Sequence, residues 1–287
     1  MTQQTTLPPQ LTRAYLEARV REALLEDLGE EGSDVTTDAV VPERLQATAE
    51  IHAKSPGVLA GLLVAEEVCR QIDAALILGA ELEDGSPLQA GTVIARPRGS
   101  LRSLLRAERT LLNFMQQLSG VATLTRRHVD LAPGVEVLDT RKTVPGLRPL
   151  QRYAVRCGGG VSHRYNLADA VLIKDNHIDA AGGVGAAVRA ARRTGLPVEV
   201  EVEDLKQLQL ALAEGAETVL LDNMSPEEVG EAVRLTRGRA ATEVSGGVSL
   251  ATIAAYAATG ADRISVGALT HSAPALDISM EVTTTWQ

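Results

Sequence analysis

The sequence predicts an α/β protein of two domains, an N-terminal α+β, sandwich-like part followed by a βα repeat, and three observations carry that prediction. Short β-branched or leucine-rich runs recur from Val135 onward: VEVLD at 135, AVLIKD at 170, PVEVEV at 197, TVLLDN at 218, ATEVSGG at 241 and DRISVGAL at 262. Their starts lie 35, 27, 21, 23 and 21 residues apart, and each gap holds a helix-like segment such as DLKQLQLALAEG or SPEEVGEAVRLTRG. The stretch before about residue 115 shows no such period. Strands alternating with helices at this interval imply parallel pairing through right-handed crossovers. Six units are two fewer than a full (β/α)8 barrel, so periodicity leaves open a doubly wound sheet or an incomplete barrel.

Taken in order, the chain first shows a helical pattern from about Leu11 to Leu28, then strand-like stretches at ATAEIHAK and ALILGAELE. Turn signals at Pro56-Gly57 and Asp84-Gly85 separate them. An amphipathic pattern from about Leu101 to Leu118 predicts a helix that carries the chain into the repeat. Residues after His271 lack repeat character and are expected to return to the first domain. The expected division is therefore residues 1–115 with 272–287, and residues 116–271 as the repeat domain.

A chain of 287 residues with 45% hydrophobic composition can bury a substantial core. No apolar run approaches the roughly 18 residues of a membrane helix, and the start, TQQTTLPPQ, lacks the basic-then-apolar pattern of a secretory signal. A cytoplasmic protein is expected. Cys69 and Cys157 are too few for a disulfide framework and sit in no zinc-type cluster, so both are read as buried thiols.

The formal net charge is −9, yet seven cations fall between Asp139 and His177: Arg141, Lys142, Arg148, Arg152, Arg156, Arg164 and Lys174. Only three acids share that stretch, which also carries Gly158 to Gly160, His163 and His177. Positive charge concentrated in an acidic chain suggests a pocket for small, highly charged anions. Nucleic acid is a poor fit, since it asks for an extended basic face and usually aromatic side chains, and this chain has one Phe, one Trp and four Tyr. The four-residue spacing of Arg148, Arg152 and Arg156 reads instead as one exposed side of a helix.

Most of the apolar runs end in charged or small polar residues at corresponding places: Arg141 and Lys142 after VEVLDT, Lys174 after AVLI, Asp222 after VLL, Ser245-Gly246-Gly247 after TEV, and Gly267 after ISV, with Glu201 within VEVEV. In parallel α/β folds the carboxyl ends of strands face the active site, so these groups are expected to converge. The glycine loops at Ser245 to Gly247 and at Val266-Gly267-Ala268 follow the last two strands, where barrels commonly clamp a phosphate. Glu201 and Asp222 offer the hard oxygens that Mg2+ takes when it is shared with substrate phosphates; the competing reading is that they pair with Lys174 or Arg141. Arg141, Lys142, His163 and Arg164 sit beside strand ends or glycine-rich loops, where Arg suits carboxylates and phosphates.

LDTRKTVPGLRPLQRYAVRCGGGVSHRYNLADAVLIKDNHI, with AERTLLNFMQQLSGVAT before it and LLDN, SGGV and VGALTH after it, resembles the quinolinate phosphoribosyltransferase family over essentially the whole chain. Ser162 stands where the family pattern carries Asn. The resemblance implies an α/β N-terminal domain and an open six-stranded α/β barrel. It also implies an activity that makes nicotinate mononucleotide, pyrophosphate and CO2 from quinolinate and phosphoribosyl pyrophosphate, with Mg2+, in NAD synthesis. Position by position, Arg141, Lys142, His163, Arg164 and Lys174 would line the pocket for quinolinate and diphosphate, with Thr140 beside them. Glu201 and Asp222 would face the ribose and metal; Ser245, Gly246, Gly247, Gly267 and Ala268 would hold the 5′-phosphate, with His271 close by. Arg109 of the AERT motif would reach the neighbouring subunit's site, making a homodimer the smallest active unit.

Displacing pyrophosphate from the anomeric carbon needs positioning and charge stabilisation more than a protein nucleophile. Lys142, Lys174, Glu201 and Asp222 are the expected catalytic groups. Three rivals stand beside this reading: a Schiff-base lyase using Lys174, a re-purposed relative that binds phosphorylated ligands, and transfer to nicotinate rather than quinolinate.

Overall fold

A computed structural model describes residues 8–286. In chain order the elements are α1 (Arg13–Leu28), α2 (Val35–Val40), β1 (Gln46–Ala53), β2 (Gly57–Val58), α3 (Leu62–Ile72), β3 (Pro87–Leu88), β4 (Val93–Ala95), β5 (Arg98–Ser100) and α4 (Leu101–Leu131). Then follow β6 (Glu136–Leu138), α5 (Arg148–Cys157), β7 (Val171–Ile173), α6 (Asp175–Ala181), α7 (Val184–Arg192), β8 (Val198–Val202), α8 (Leu205–Ala213), β9 (Thr218–Asp222) and α9 (Pro226–Thr236). The chain closes with β10 (Ala241–Ser245), α10 (Ile253–Ala257), β11 (Arg263–Ser265), α11 (Ala268–His271) and β12 (Ile278–Trp286). The chain divides into two compact units, the first comprising residues up to Leu124, Pro145–Gly159 and the segment from Ala273, the second Thr125–Val144 and Gly160–Ser272.

In the first unit an antiparallel sheet runs β12-β1-β4, with β5 also paired to β1. The alternation of ATAEIHA buries Ala47, Ala49, Ile51 and Ala53 on one face of β1. ALILGAELE does not form a second long strand: only isolated bridges, Ile77 to Arg98 and Ala80 to Ala95, join it to the sheet. Gly79 interrupts the run at φ 62, a left-handed conformation that a strand does not continue through. Gly61, at the N-cap position of α3, has no side chain to satisfy the helix's first N–H groups. Asp84 takes that place from a distant turn, accepting the N–H of Leu62 at 3.1 Å and the hydroxyl of Tyr153 at 2.8 Å. Burial pushes the Asp84 carboxyl up, the hydrogen bonds opposing it.

Two further expectations fail here. The helix begun at Leu101 runs on to Leu131 rather than stopping near Leu118, because Gly120 does not break it. Instead Gly120 gives the chain room: a Cβ there would sit on the carbonyl oxygen of Pro274 and 3.1 Å from Cα of Ala275. Gly120→Ala is therefore expected to destabilise by about 1–3 kcal/mol, overpacking outweighing the roughly 1 kcal/mol that alanine adds to a helix. Thermal unfolding of the variant checks this, and an unchanged or raised Tm would show that the segment at Pro274 yields. The second failure concerns α5. Arg152 is only 3% exposed and Arg148 and Arg156 are half-buried, so these arginines do not form one solvated helix side. Pro149, Leu150, Tyr153, Ala154, Val155 and Cys157 are buried too, so little of the helix circumference remains for solvent.

In the second unit all six repeat strands join one parallel sheet in the order β6-β11-β10-β9-β8-β7. Helices α7 to α10 flank it, and several start on strong caps, such as Asp204 on α8 and the Ser225/Glu228 capping box ahead of Pro226 on α9. The segment after the glycines lies along one edge. Val161 bridges Leu138 in parallel, donating its N–H to Val137 at 2.8 Å and accepting that of Asp139 at 3.1 Å. At the opposite edge, Arg164 donates through Nη1 to the carbonyl of Ala170, just before β7, at 2.9 Å. Residues 161–164 thus touch both edge strands of the sheet, β6 and β7, between which no pairing is seen among the described strands. No helix among the described residues is long and apolar enough to cross a membrane.

Candidate active site

Residues paired across a parallel sheet share a face, and successive residues alternate. The register sets Glu199 opposite Thr218, Glu201 opposite Leu220, Leu220 opposite Glu243, and Asp222 opposite Ser245. Glu199, Glu201, Asp222, Glu243 and Ser245 therefore belong to one face, while Val198, Val200 and Val202 are buried on the other. The VEVEV pattern, apolar on one side and acidic on the other, is what produces this.

At the carboxyl ends of the strands the expected groups meet. Lys174, directly after β7, donates from Nζ to the Glu201 carboxylate. Asp222 is pushed above the usual aspartate range by burial, with the nearby charges of Lys174 and Lys142 opposing. Its carboxylate accepts the side-chain N–H of Asn223 at 2.6 Å. The main-chain N–H of Lys142 donates to Thr140 Oγ1 at 3.1 Å, and Thr270 Oγ1 donates to the Lys142 carbonyl at 2.7 Å. A Cβ on Gly267 would lie 3.2 Å from both Lys142 Cδ and His271 Nε2, so these three residues converge, with Ala268 next in the chain at the start of α11.

The Ser245-Gly246-Gly247 loop has φ of 90 and 63 at its glycines. It folds onto Asn223, whose N–H donates to the Ser245 carbonyl at 3.0 Å. A Cβ at Gly246 would be 2.6 Å from Asn223 Cγ and 2.9 Å from its main-chain nitrogen. Burial and the neighbouring Arg141 guanidinium together push Arg164 below the usual arginine range. A partly buried guanidinium that a second cation disfavours gains from an anion beside it.

His163 sits against two buried carboxylates. Its Nε2 lies 2.9 Å from Glu199 Oε2 and 3.4 Å from Glu243 Oε1, one layer deeper than Glu201. Burial pushes the imidazole down, and the two carboxylates overcome it, raising its pKa to about 9. Burial pushes Glu199 above the usual glutamate range, with the His163 contact opposing. A cavity of about 430 Å3 opens beside this cluster among residues at the amino ends of the strands, including Glu136, Val171, Thr218 and Arg263. His163 and Arg164 line it together with Glu199 and Glu243, whereas Lys174, Glu201 and Asp222 do not. Arg109 is exposed on α4, in the first unit.

Sequence reasoning missed Glu199, Glu243 and Asn223. The period-two rule held the signal for the first, since Glu199 shares the face of Glu201. Nothing local marked Asn223, whose role rests on φ 54 and on its contact with the next loop.

The family profile described as quinolinate phosphoribosyl transferase, C-terminal domain, matches residues 121–281, and its N-terminal counterpart matches residues 34–119. The chain belongs to the quinolinate phosphoribosyltransferase family. It is 47% identical over 274 residues to the nicotinate-nucleotide pyrophosphorylase [carboxylating] of Mycobacterium leprae, covering 92% of this chain and 95% of that protein. It is 42% identical over 264 residues to the probable enzyme of that name from Bacillus subtilis, covering 90% of each. Among solved structures, NadC from Streptococcus pyogenes superposes with a TM-score of 0.92 at 41% identity, covering 96% of this chain and 99% of that one. The α/β architecture expected from the repeat is thus that of quinolinate phosphoribosyltransferases.

Proposed function

We propose that this chain transfers the phosphoribosyl group of phosphoribosyl pyrophosphate to quinolinate with loss of CO2, giving nicotinate mononucleotide and pyrophosphate for NAD synthesis. The observation that carries the assignment is the meeting of Lys142, Lys174, Glu201 and Asp222 at the strand ends of a chain in this family. Arg141 and Arg164 hold the two ring carboxylates, and Lys142 and Lys174 stabilise the departing pyrophosphate. Glu201 and Asp222 orient the ribose hydroxyls and stabilise its developing positive charge. Lys174 exchanges the Glu201 carboxylate for the diphosphate when substrate arrives. Ser245, Gly246, Gly247, Gly267 and Ala268 surround the 5′-phosphate, with His271 at its edge. Loss of CO2 is driven by the adjacent ring nitrogen once it is positively charged, so the protein's part is to hold the dicarboxylate in place. The protein acts in the cytoplasm as a homodimer in which Arg109 enters the partner's site.

Glu201 and Asp222, hard oxygen donors on adjoining strands, fit Mg2+. When bound with the diphosphate, the ion supplies charge neutralisation of the leaving group. Chelation is expected to abolish turnover and Mg2+ to restore it; full activity in excess chelator would remove these carboxylates from a metal role. Because burial raises Asp222, acidification protonates it sooner than an ordinary aspartate of pKa about 3.9. The acid limb of kcat/KM is therefore expected above that value, and a rate profile flat down to pH 4 would contradict it.

A mass-balance assay with phosphoribosyl pyrophosphate, Mg2+ and either quinolinate or nicotinate tests the whole reading. Equimolar CO2 and mononucleotide from quinolinate alone are expected. Product from nicotinate only would keep the transferase and overturn the roles given to Arg141 and Arg164. Borohydride trapping of substrate on Lys174 would favour a Schiff-base lyase instead.

A further inference from the structure

Asn223 holds a backbone conformation that its place in the chain does not explain. Among the described residues only two other than glycine have positive φ, Arg237 at 46 and Asn223 at 54. Arg237 ends α9, where a left-handed residue is an ordinary way to close a helix. Asn223 directly follows the strand β9 and ends no helix. Asparagine is among the residues with a side chain that tolerate this region best, yet the backbone takes it up only where its neighbours impose it.

The neighbours do so from both sides. The main-chain N–H of Asn223 donates to the Ser245 carbonyl at 3.0 Å, one rung beyond the Asp222–Ser245 pair that closes the β9–β10 ladder. After it, Tyr256 of α10 donates its hydroxyl to the Met224 carbonyl at 3.1 Å, and the Ser225/Glu228 capping box starts α9 at once. The Asn223 side chain then lies between two strand ends. It reaches Asp222 Oδ2 at 2.6 Å, and because a carboxylate only accepts, the atom facing it is the amide nitrogen. The amide oxygen is turned to Gly246, where a Cβ would overlap it and stand 2.6 Å from Asn223 Cγ. The missing side chain of Gly246 is what gives the amide its room.

We infer that Asn223 is a positioning residue for phosphoribosyl transfer: its amide fixes the Asp222 carboxylate, and the Ser245-Gly246-Gly247 loop fixes the amide. The inference rests on the assignment of Asp222 to the ribose given above. A hydrogen bond to Oδ2 sets the plane of the carboxylate and hence the direction of Oδ1. The amide is uncharged, so it orients the carboxylate and leaves its negative charge for the ribose. Asn223 is exposed, and a hydrogen bond open to water adds only modestly to stability, so the contact acts on orientation rather than on folding.

The test compares Asn223→Gly, Asn223→Asp, Asp222→Asn and the double variant Asp222→Asn/Asn223→Gly in the full-length enzyme, with circular dichroism and Tm recorded for each. Glycine accepts the backbone conformation and lacks the amide; aspartate keeps the shape and, ionised, presents only acceptors to Asp222. Both are expected to lower kcat/KM for phosphoribosyl pyrophosphate roughly tenfold, the lower end of what losing an orienting partner costs, with KM for quinolinate within about twofold of wild type and Tm nearly unchanged. Once the carboxylate is gone Asn223 has nothing to orient, so the double variant is expected to lie within about twofold of Asp222→Asn alone. Wild-type kcat/KM in either single Asn223 variant, equal rises in both KM values, or losses that multiply in the double variant overturn the inference. If Asp222→Asn lowers kcat/KM and Asn223→Gly does not, the positioning role fails while the site stands; if Asp222→Asn also leaves it unchanged, both fall.

Discussion

Arg164→Ala is expected to lower kcat/KM for quinolinate by one to two powers of ten and to leave the KM for phosphoribosyl pyrophosphate nearly unchanged. A charge-assisted hydrogen bond contributes about 1.5–3 kcal/mol, and each 1.4 kcal/mol is a factor of ten in rate. The loss is larger if a ring carboxylate is left without a partner in the bound complex. Arg164→Lys is expected to recover little, because an ammonium does not reproduce the planar fork that grips a carboxylate. Steady-state kinetics with each substrate varied in turn checks both variants. Near-normal quinolinate turnover by Arg164→Ala would take the dicarboxylate away from this arginine.

A single methyl group is expected to do as much damage at the phosphate loop. Gly246 has φ 90, and an alanine Cβ there would be 2.6 Å from Asn223 Cγ and 2.9 Å from Asn223 N. A side chain rarely adopts this backbone conformation, at a cost of roughly 1–3 kcal/mol. The alternative to strain is displacement of Asn223, whose amide holds Asp222 at 2.6 Å. Either response spoils both the loop and the carboxylate beside it. Gly246→Ala is therefore expected to raise KM for phosphoribosyl pyrophosphate at least tenfold and to lower kcat as well. Gly247→Ala provides the contrast: its Cβ would meet nothing within 4 Å, so only the cost of φ 63 applies. Equal kinetics for the two variants would show that the contact with Asn223 carries no weight.

The repeat half was legible residue by residue. Each of VEVLD, AVLIKD, PVEVEV, TVLLDN, ATEVSGG and DRISVGAL contains one strand of the parallel sheet, because a buried parallel strand must be apolar and its crossover helix must announce itself with caps and turns. Lys174, Glu201, Asp222 and the glycine loops were legible for the same reason, since parallel strands deliver their ends to one side. The first unit was harder. ALILGAELE carries the composition of a strand, but Gly79 at φ 62 and the bend around it leave only bridges. The helix expected to end near Leu118 runs on to Leu131, and Gly120 within it is a point where the chain from Pro274 passes close. Arg148, Arg152 and Arg156 read as a solvated stripe, yet Arg152 is buried. Local pattern reports which side chains share a helix face and is silent about what packs against it.

Periodicity and strand-end chemistry in the sequence were enough to establish the α/β class, six parallel strands and the cations and acids that serve a small charged ligand. Tertiary structure alone decided that Glu199 and Glu243, from two strands, meet the His163 ring, that Asp139, just after β6, accepts its main-chain N–H, and that His163 Nδ1 accepts the N–H of Arg164. The physical reason is range. Alternation and helix caps act over a few residues and are written in the local sequence. The 36 residues from His163 to Glu199 and the 80 from His163 to Glu243 are bridged only by sheet register, which depends on every strand between.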